Sequence, residues 1–149
     1  MKFYEDMPIG LSAAPAARFT FTAEAIKSFA SEWDPMPFHV DEEAARQSPV
    51  GKLFATSIHT IAASVKLNHT AMTEPMAVIA GLGWQDVRFP LPVCAGDTIR
   101  VHSEVVDRRE SQSKPDRGIV TSQILVFNQH DQRVAEYKIL TLILKRPVG

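Results

Sequence analysis

The chain changes its hydrophobic period once, near Pro75, and that switch is the strongest constraint on its fold. Before it, Ile26, Phe29, Ala30 and Trp33 fall at i, i+3, i+4 and i+7, one face of an amphipathic helix. Thr22 is placed to cap that helix, with Glu24 in the first turn where the helix dipole favours an acid. Asp41, Glu42 and Glu43 start a second, short helix that must end near Ser48-Pro49. A third helical run spans 57–68, beginning at Thr56 or Ser57. Its only charge is Lys66, so it is expected to be largely buried. After Pro75 the pattern is that of long strands over 77–89, 98–107, 118–128 and 134–144. In the third of these Ile119, Thr121, Gln123, Leu125 and Phe127 alternate with Val120, Ser122, Ile124 and Val126. Polar stretches of hairpin length, 111–117 and 129–132, join the last three strands. The expected architecture is α+β: an antiparallel sheet of long strands with one buried helix lying against it, and a polar wet face.

The chain has 149 residues, which suits one domain over 1–149. At that size roughly 68–70% of the unfolded surface can be buried, so no disulfide or metal staple is needed. The formal net charge of −1 argues against nucleic acid as the main partner. No window approaches the length of a membrane span and no hydrophobic leader region is visible, so a cytoplasmic location is expected. The single cysteine, Cys94, reads as a small apolar residue near a turn. His59, early in the third helix, reads as a satisfied core histidine, and Trp33 and Trp84 as core or pocket walls.

Chemistry concentrates in Asp34-Pro35-Met36-Pro37-Phe38-His39. Each proline locks its own φ and pushes the preceding residue away from helix, so the segment is expected to be a stiff non-helical loop. A carboxylate and an imidazole aimed together can move a proton to or from water.

This loop resembles the D-x-N-P-x-H signature of the MaoC-like dehydratases, the (R)-specific enoyl-CoA hydratase family. The flanks extend the resemblance: Tyr4-Glu5-Asp6 with Gly10, His39-Val40-Asp41 running to Ala45, and Ser48-Pro49-Val50-Gly51 before Phe54-Ala55-Thr56-Ser57. Gly81-Leu82-Gly83-Trp84 and Pro92-Val93-Cys94-Ala95-Gly96-Asp97-Thr98 continue it in the same order. Three positions differ from the usual pattern: Met36 stands for Asn, Ser57 for the Gly that commonly opens the central helix, and Trp84 for a Gly found in some members.

The resemblance implies a single hotdog domain and reversible addition of water to a trans-2-enoyl-CoA, giving the (R)-3-hydroxyacyl-CoA. It implies Asp34 and His39 as the pair activating water. Backbone N–H groups near Ser57 would hold the thioester oxygen, with Gly83 or Trp84 as further substrate-binding positions. It implies no metal and no cofactor beyond the coenzyme A carried by the substrate, and a homodimer with sheets joined edge to edge. Arg88, Lys52 and Arg46 are candidates for the diphosphate. Two other readings of the same fold are an acyl-CoA thioesterase and a non-catalytic acyl-thioester-binding protein. The absence of Asp or Glu between Ser57 and Asn68 weighs against the thioesterase.

Overall fold

The computed structural model describes residues 1–149. A 3₁₀ turn at Tyr4–Asp6 and two short strands, β1 (Ser12–Ala13) and β2 (Phe19–Thr20), precede the helices α1 (Ala23–Trp33), α2 (Pro37–Val40), α3 (Glu42–Gln47) and α4 (Ser57–His69). The long strands β3 (Val78–Arg88), β4 (Thr98–Glu110), β5 (Arg117–Phe127) and β6 (Arg133–Leu144) follow. All strand pairs are antiparallel, in the order β1-β4-β5-β6-β3, with β2 also on β4. The switch of period at Pro75 is thus the boundary between the helical half and the main sheet.

Local signals set the element ends. Thr22 Oγ1 accepts the Ala25 N–H (3.1 Å), and Asp41 Oδ1 accepts those of Glu43 and Ala44 (2.8 and 3.0 Å). The turn before β4 closes on Asp97, whose Oδ2 accepts the Cys94 N–H (2.8 Å), while Gly96 takes the positive φ of 92° that the reversal needs.

The sheet bends around α4. Ile99, Val101, Ile124, Val126 and Val134 pack against Leu53, Ala55, Ala63 and Leu67, with Phe21 and Ile26 closing the core from the α1 side. One polar clasp crosses this core. Ser64 Oγ donates to the Ile61 carbonyl (2.7 Å), so the Tyr137 hydroxyl is the donor in its 2.5 Å bond to Ser64. Burial raises the Tyr137 pKa, and the Ser64 bond partly opposes that. A second cluster holds the N-terminal turn, with Tyr4 and Met7 packed on Val105, Val120 and Ile143. The Tyr4 ring lies flat over Gly118, where an added Cβ would meet it at 2.3 Å.

Three expectations are corrected. Along α4, His59, Thr60, Ala63, Ser64 and Leu67 are buried, but Ser57, Ile58, Ala62, Lys66 and His69 face outward. Its small and apolar outer residues look like a buried helix in sequence, yet no element of this chain covers them. The outer face of the sheet is not simply polar: Ile119 and Leu142 sit opposite each other across β5 and β6, half-buried by mutual contact. Trp33, the last residue of α1, is 67% exposed and is not part of the core.

Candidate functional site

The helices deliver the acid and the histidine from two adjoining elements. Asp34 caps the C-terminus of α1, its N–H donating to the Ala30 carbonyl (2.9 Å), and its half-buried side chain makes no hydrogen bond. The Met36 N–H then donates to the Asp34 carbonyl (2.8 Å) and the His39 N–H to the Met36 carbonyl (2.9 Å). This corrects the expected non-helical loop: residues 34–36 are non-helical, but Pro37 occupies the first turn of α2 and His39 is helical. Proline is suited to that position because its fixed φ matches the helix and its missing N–H would have no partner there.

His39 is 6% exposed, and its Nδ1 lies 2.8 Å from the Phe54 carbonyl. A carbonyl oxygen only accepts, so Nδ1 carries a proton and Nε2 is the ring nitrogen left without a protein partner. The rings of Phe38 and Phe54 flank it with centroids 4.6 and 4.7 Å away. Phe54 is itself fixed by a bridge to Cys94. Burial raises the Cys94 thiol pKa, which keeps it unreactive, as the small-apolar reading expects.

Phe54 stands two residues before Thr56, the N-cap of α4, so the same carbonyl ties His39 to the start of that helix. Thr56 is fully buried, its Oγ1 accepting the His59 N–H (3.0 Å) and its carbonyl the Thr60 N–H (3.2 Å). The N–H groups of Ser57 and Ile58 are left without a protein acceptor, on an exposed helix start with its positive dipole end. The structure therefore ties His39 to Phe54, in the segment that leads into α4.

Gly83 and Trp84 lie elsewhere, on β3, and no hydrogen bond links them to Asp34 or His39. Trp84 is 47% exposed and stacks on Tyr137 (5.0 Å). Of the basic candidates, Arg46 is paired with Glu43, while Lys52 and Arg88 are exposed and unpaired.

His59 is buried but not satisfied. Its ring stacks on Phe29 of α1 (4.3 Å) and meets Phe21 edge-on (4.7 Å), and its Nδ1 has no hydrogen-bond partner. Desolvation lowers its pKa, which disfavours the charged ring. It joins α1, which ends in Asp34, to the first turn of α4. Sequence reasoning missed the Phe54 carbonyl, which no side-chain pattern reports. It left Thr56 undecided, although a Thr directly before a helical run is a capping signal.

Residues 7–126 match the protein family described as MaoC like domain. The uncharacterized protein YdeM of Bacillus subtilis is 32% identical over 121 residues, 81% of this chain and 84% of YdeM. The 3-hydroxyacyl-thioester dehydratase Z of Mycobacterium tuberculosis is 35% identical over 89 residues, 58% of this chain and only 59% of that relative. Among solved structures, the MaoC-like dehydratase from Rhodospirillum rubrum is 39% identical, covering 98% of this chain and 99% of its own, with a TM-score of 0.88. The sheet wrapped on one helix is the hotdog fold.

Proposed function

The chain belongs to the MaoC-like dehydratase family, and from that membership we propose that it adds water reversibly to a trans-2-enoyl-CoA, giving the (R)-3-hydroxyacyl-CoA. The observation that carries this reading is the 2.8 Å bond from His39 Nδ1 to the Phe54 carbonyl. It leaves Nε2 available for the proposed role and ties the ring to the segment that leads into α4.

Water, with a pKa of about 15.7, attacks only as its proton is removed. In the proposed reaction the Asp34–His39 pair orients one water and takes its proton as oxygen bonds to C3. The π electrons move to the thioester oxygen, and the pair returns one proton to C2. The balance is one water added, with no electron gained or lost, so no redox cofactor takes part. The developing oxyanion is held by the N–H groups of Ser57 and Ile58; a single such donor contributes roughly 2.7–4 kcal/mol in other enzymes. The name of the mycobacterial relative, a 3-hydroxyacyl-thioester dehydratase, supports the same bond change.

A homodimer is part of this proposal. β3 is an edge strand paired only to β6, and it exposes Val78, Ile79, Leu82 and Trp84. An unpaired apolar edge invites a second strand. A second copy there would complete the site across the contact and give Gly83 and Trp84 a place in it. Sedimentation velocity should return twice the chain mass; a monomer at all concentrations would remove this part.

The reaction is tested by absorbance loss at the enoyl-thioester band with crotonyl-CoA and longer homologues, run beside a free-thiol assay. Hydration without thiol release is expected. Asp34→Asn and His39→Ala should each lower the rate about 10²–10⁴-fold with the fold intact. Wild-type rates in both variants, or thiol release in place of hydration, would refute the reading.

A further inference from the structure

The two halves of α1 are anchored differently. The main core cluster takes Ala23 and Ile26 but no residue beyond them. Ala30 is buried but small, and Trp33 is exposed. The Lys27–Glu42 pair (3.5 Å) lies at the surface and holds little. The large contact of the C-terminal half is Phe29, stacked on His59 of α4 with centroids 4.3 Å apart and planes within 7°. His59 in turn stands edge-on to Phe21 (4.7 Å) and Phe19 (6.2 Å). Phe21 is fully buried and belongs to the core cluster. The imidazole thus links the core to the last turns of α1.

Asp34 depends on that link. Its side chain makes no hydrogen bond, and its N–H is tied back to the Ala30 carbonyl (2.9 Å), so the carboxylate goes where the helix end goes. At a rise of 1.5 Å per residue, Asp34 lies roughly 7.5 Å along the axis from Phe29. A small tilt about the Ile26 anchor grows toward residue 34, and a misplacement of about 1 Å can cost on the order of 10²-fold in rate.

His59 is not the choice that stability alone would make. Its Nδ1 is sealed from solvent without a partner, whereas buried polar groups are normally paired. A leucine would fill the space with no unpaired nitrogen, but it has no flat face to set against Phe29. A phenylalanine is flat but larger, and would press α1 outward. Imidazole is the smallest flat ring among the side chains, and it comes with its nitrogens.

Resting on the hydratase reading above, we propose that His59 is a positioning residue: through Phe29 it fixes the end of α1, and with it the place of the Asp34 carboxylate in the reaction. It acts through Asp34 and not on the substrate.

His59→Leu removes the flat ring, and Phe29→Leu breaks the same stack from the other side. With crotonyl-CoA each should lower kcat by about tenfold or more while KM stays within about twofold. A double-mutant cycle with Asp34→Asn separates positioning from general weakening. If His59 works through the carboxylate, adding His59→Leu to the Asp34→Asn protein should lower kcat no further. A merely loosened fold would lower it by the same factor in both backgrounds. Wild-type kcat in both leucine variants, or that equal loss with and without the Asp34 carboxylate, would overturn the proposal and leave the hydratase reading standing. If the unaltered protein hydrates no enoyl-CoA, the hydratase reading falls, and amide hydrogen exchange decides the link. Faster exchange of the Asp34 N–H in His59→Leu, with the amides of β5 and β6 unchanged, keeps it; unchanged exchange at Asp34 removes it.

Discussion

Replacing Gly118 with alanine should be among the most damaging single-methyl changes this chain can suffer. The new Cβ would lie 2.3, 2.5 and 2.8 Å from Cε2, Cδ2 and Cζ of Tyr4, all well inside the ~3.5–4.0 Å optimum for carbon pairs. Neither side can yield easily. Gly118 is on β5, paired to Glu110 on one flank and Ile143 on the other. Tyr4 is 5% exposed, with the Arg108 guanidinium 4.0 Å above its ring, and that guanidinium also donates to the Met7 carbonyl (3.3 Å). If the ring only tilts, overpacking costs about 1–3 kcal/mol. If it is expelled, the loss approaches the ~3–5 kcal/mol of truncating a large aromatic. The expected value is about 3 kcal/mol, read as a lowered urea midpoint at unchanged m. A double-mutant cycle sharpens the test. Without the Tyr4 ring the methyl has nothing to strike, so Tyr4→Ala/Gly118→Ala should unfold close to Tyr4→Ala alone, a coupling of about 2 kcal/mol or more. A Gly118→Ala protein within ~0.5 kcal/mol of wild type, or additivity of the two changes, would refute the contact argument.

Three further outcomes follow from other contacts. Thr56→Ala removes the cap on the His59 N–H and should cost about 1 kcal/mol in thermal or urea unfolding. Tyr137→Phe deletes the bond to Ser64 but leaves Ser64 bonded to Ile61, so about 1 kcal/mol should be lost while the Trp84 fluorescence stays put. Because burial lowers the His59 pKa, the unfolded chain binds a proton first as pH falls below about 6.5. Stability is then full above that pH and declines down to the lowered folded-state pKa, with a limiting slope of about 1.4 kcal/mol per pH unit. Urea midpoints from pH 8 to 5 should show a component of this slope that is absent in His59→Phe; identical pH profiles would exclude it.

Much of the architecture was legible in the chain. Helical spacing located α1 and α4, alternation located four long strands, and the capping residues Thr22 and Asp41 placed helix starts to the residue. Sequence was silent wherever the partner is a backbone atom or a distant face. Pro37 reads as a helix breaker but opens a helical turn, because a proline is excluded from a helix interior and welcome at its first position. The outer side of α4 reads as core because its residues are small and apolar, and composition cannot tell a surface covered within the chain from one left open.

The bond between His39 and Phe54 is made to a main-chain oxygen. A main-chain acceptor survives every side-chain replacement at its own position. The proton on the histidine is therefore held by something that mutation at residue 54 does not delete, provided the turn before α4 keeps its path. In the proposed site, the lining is thus free to drift toward new substrates while the histidine stays set, which separates what can evolve there from what cannot.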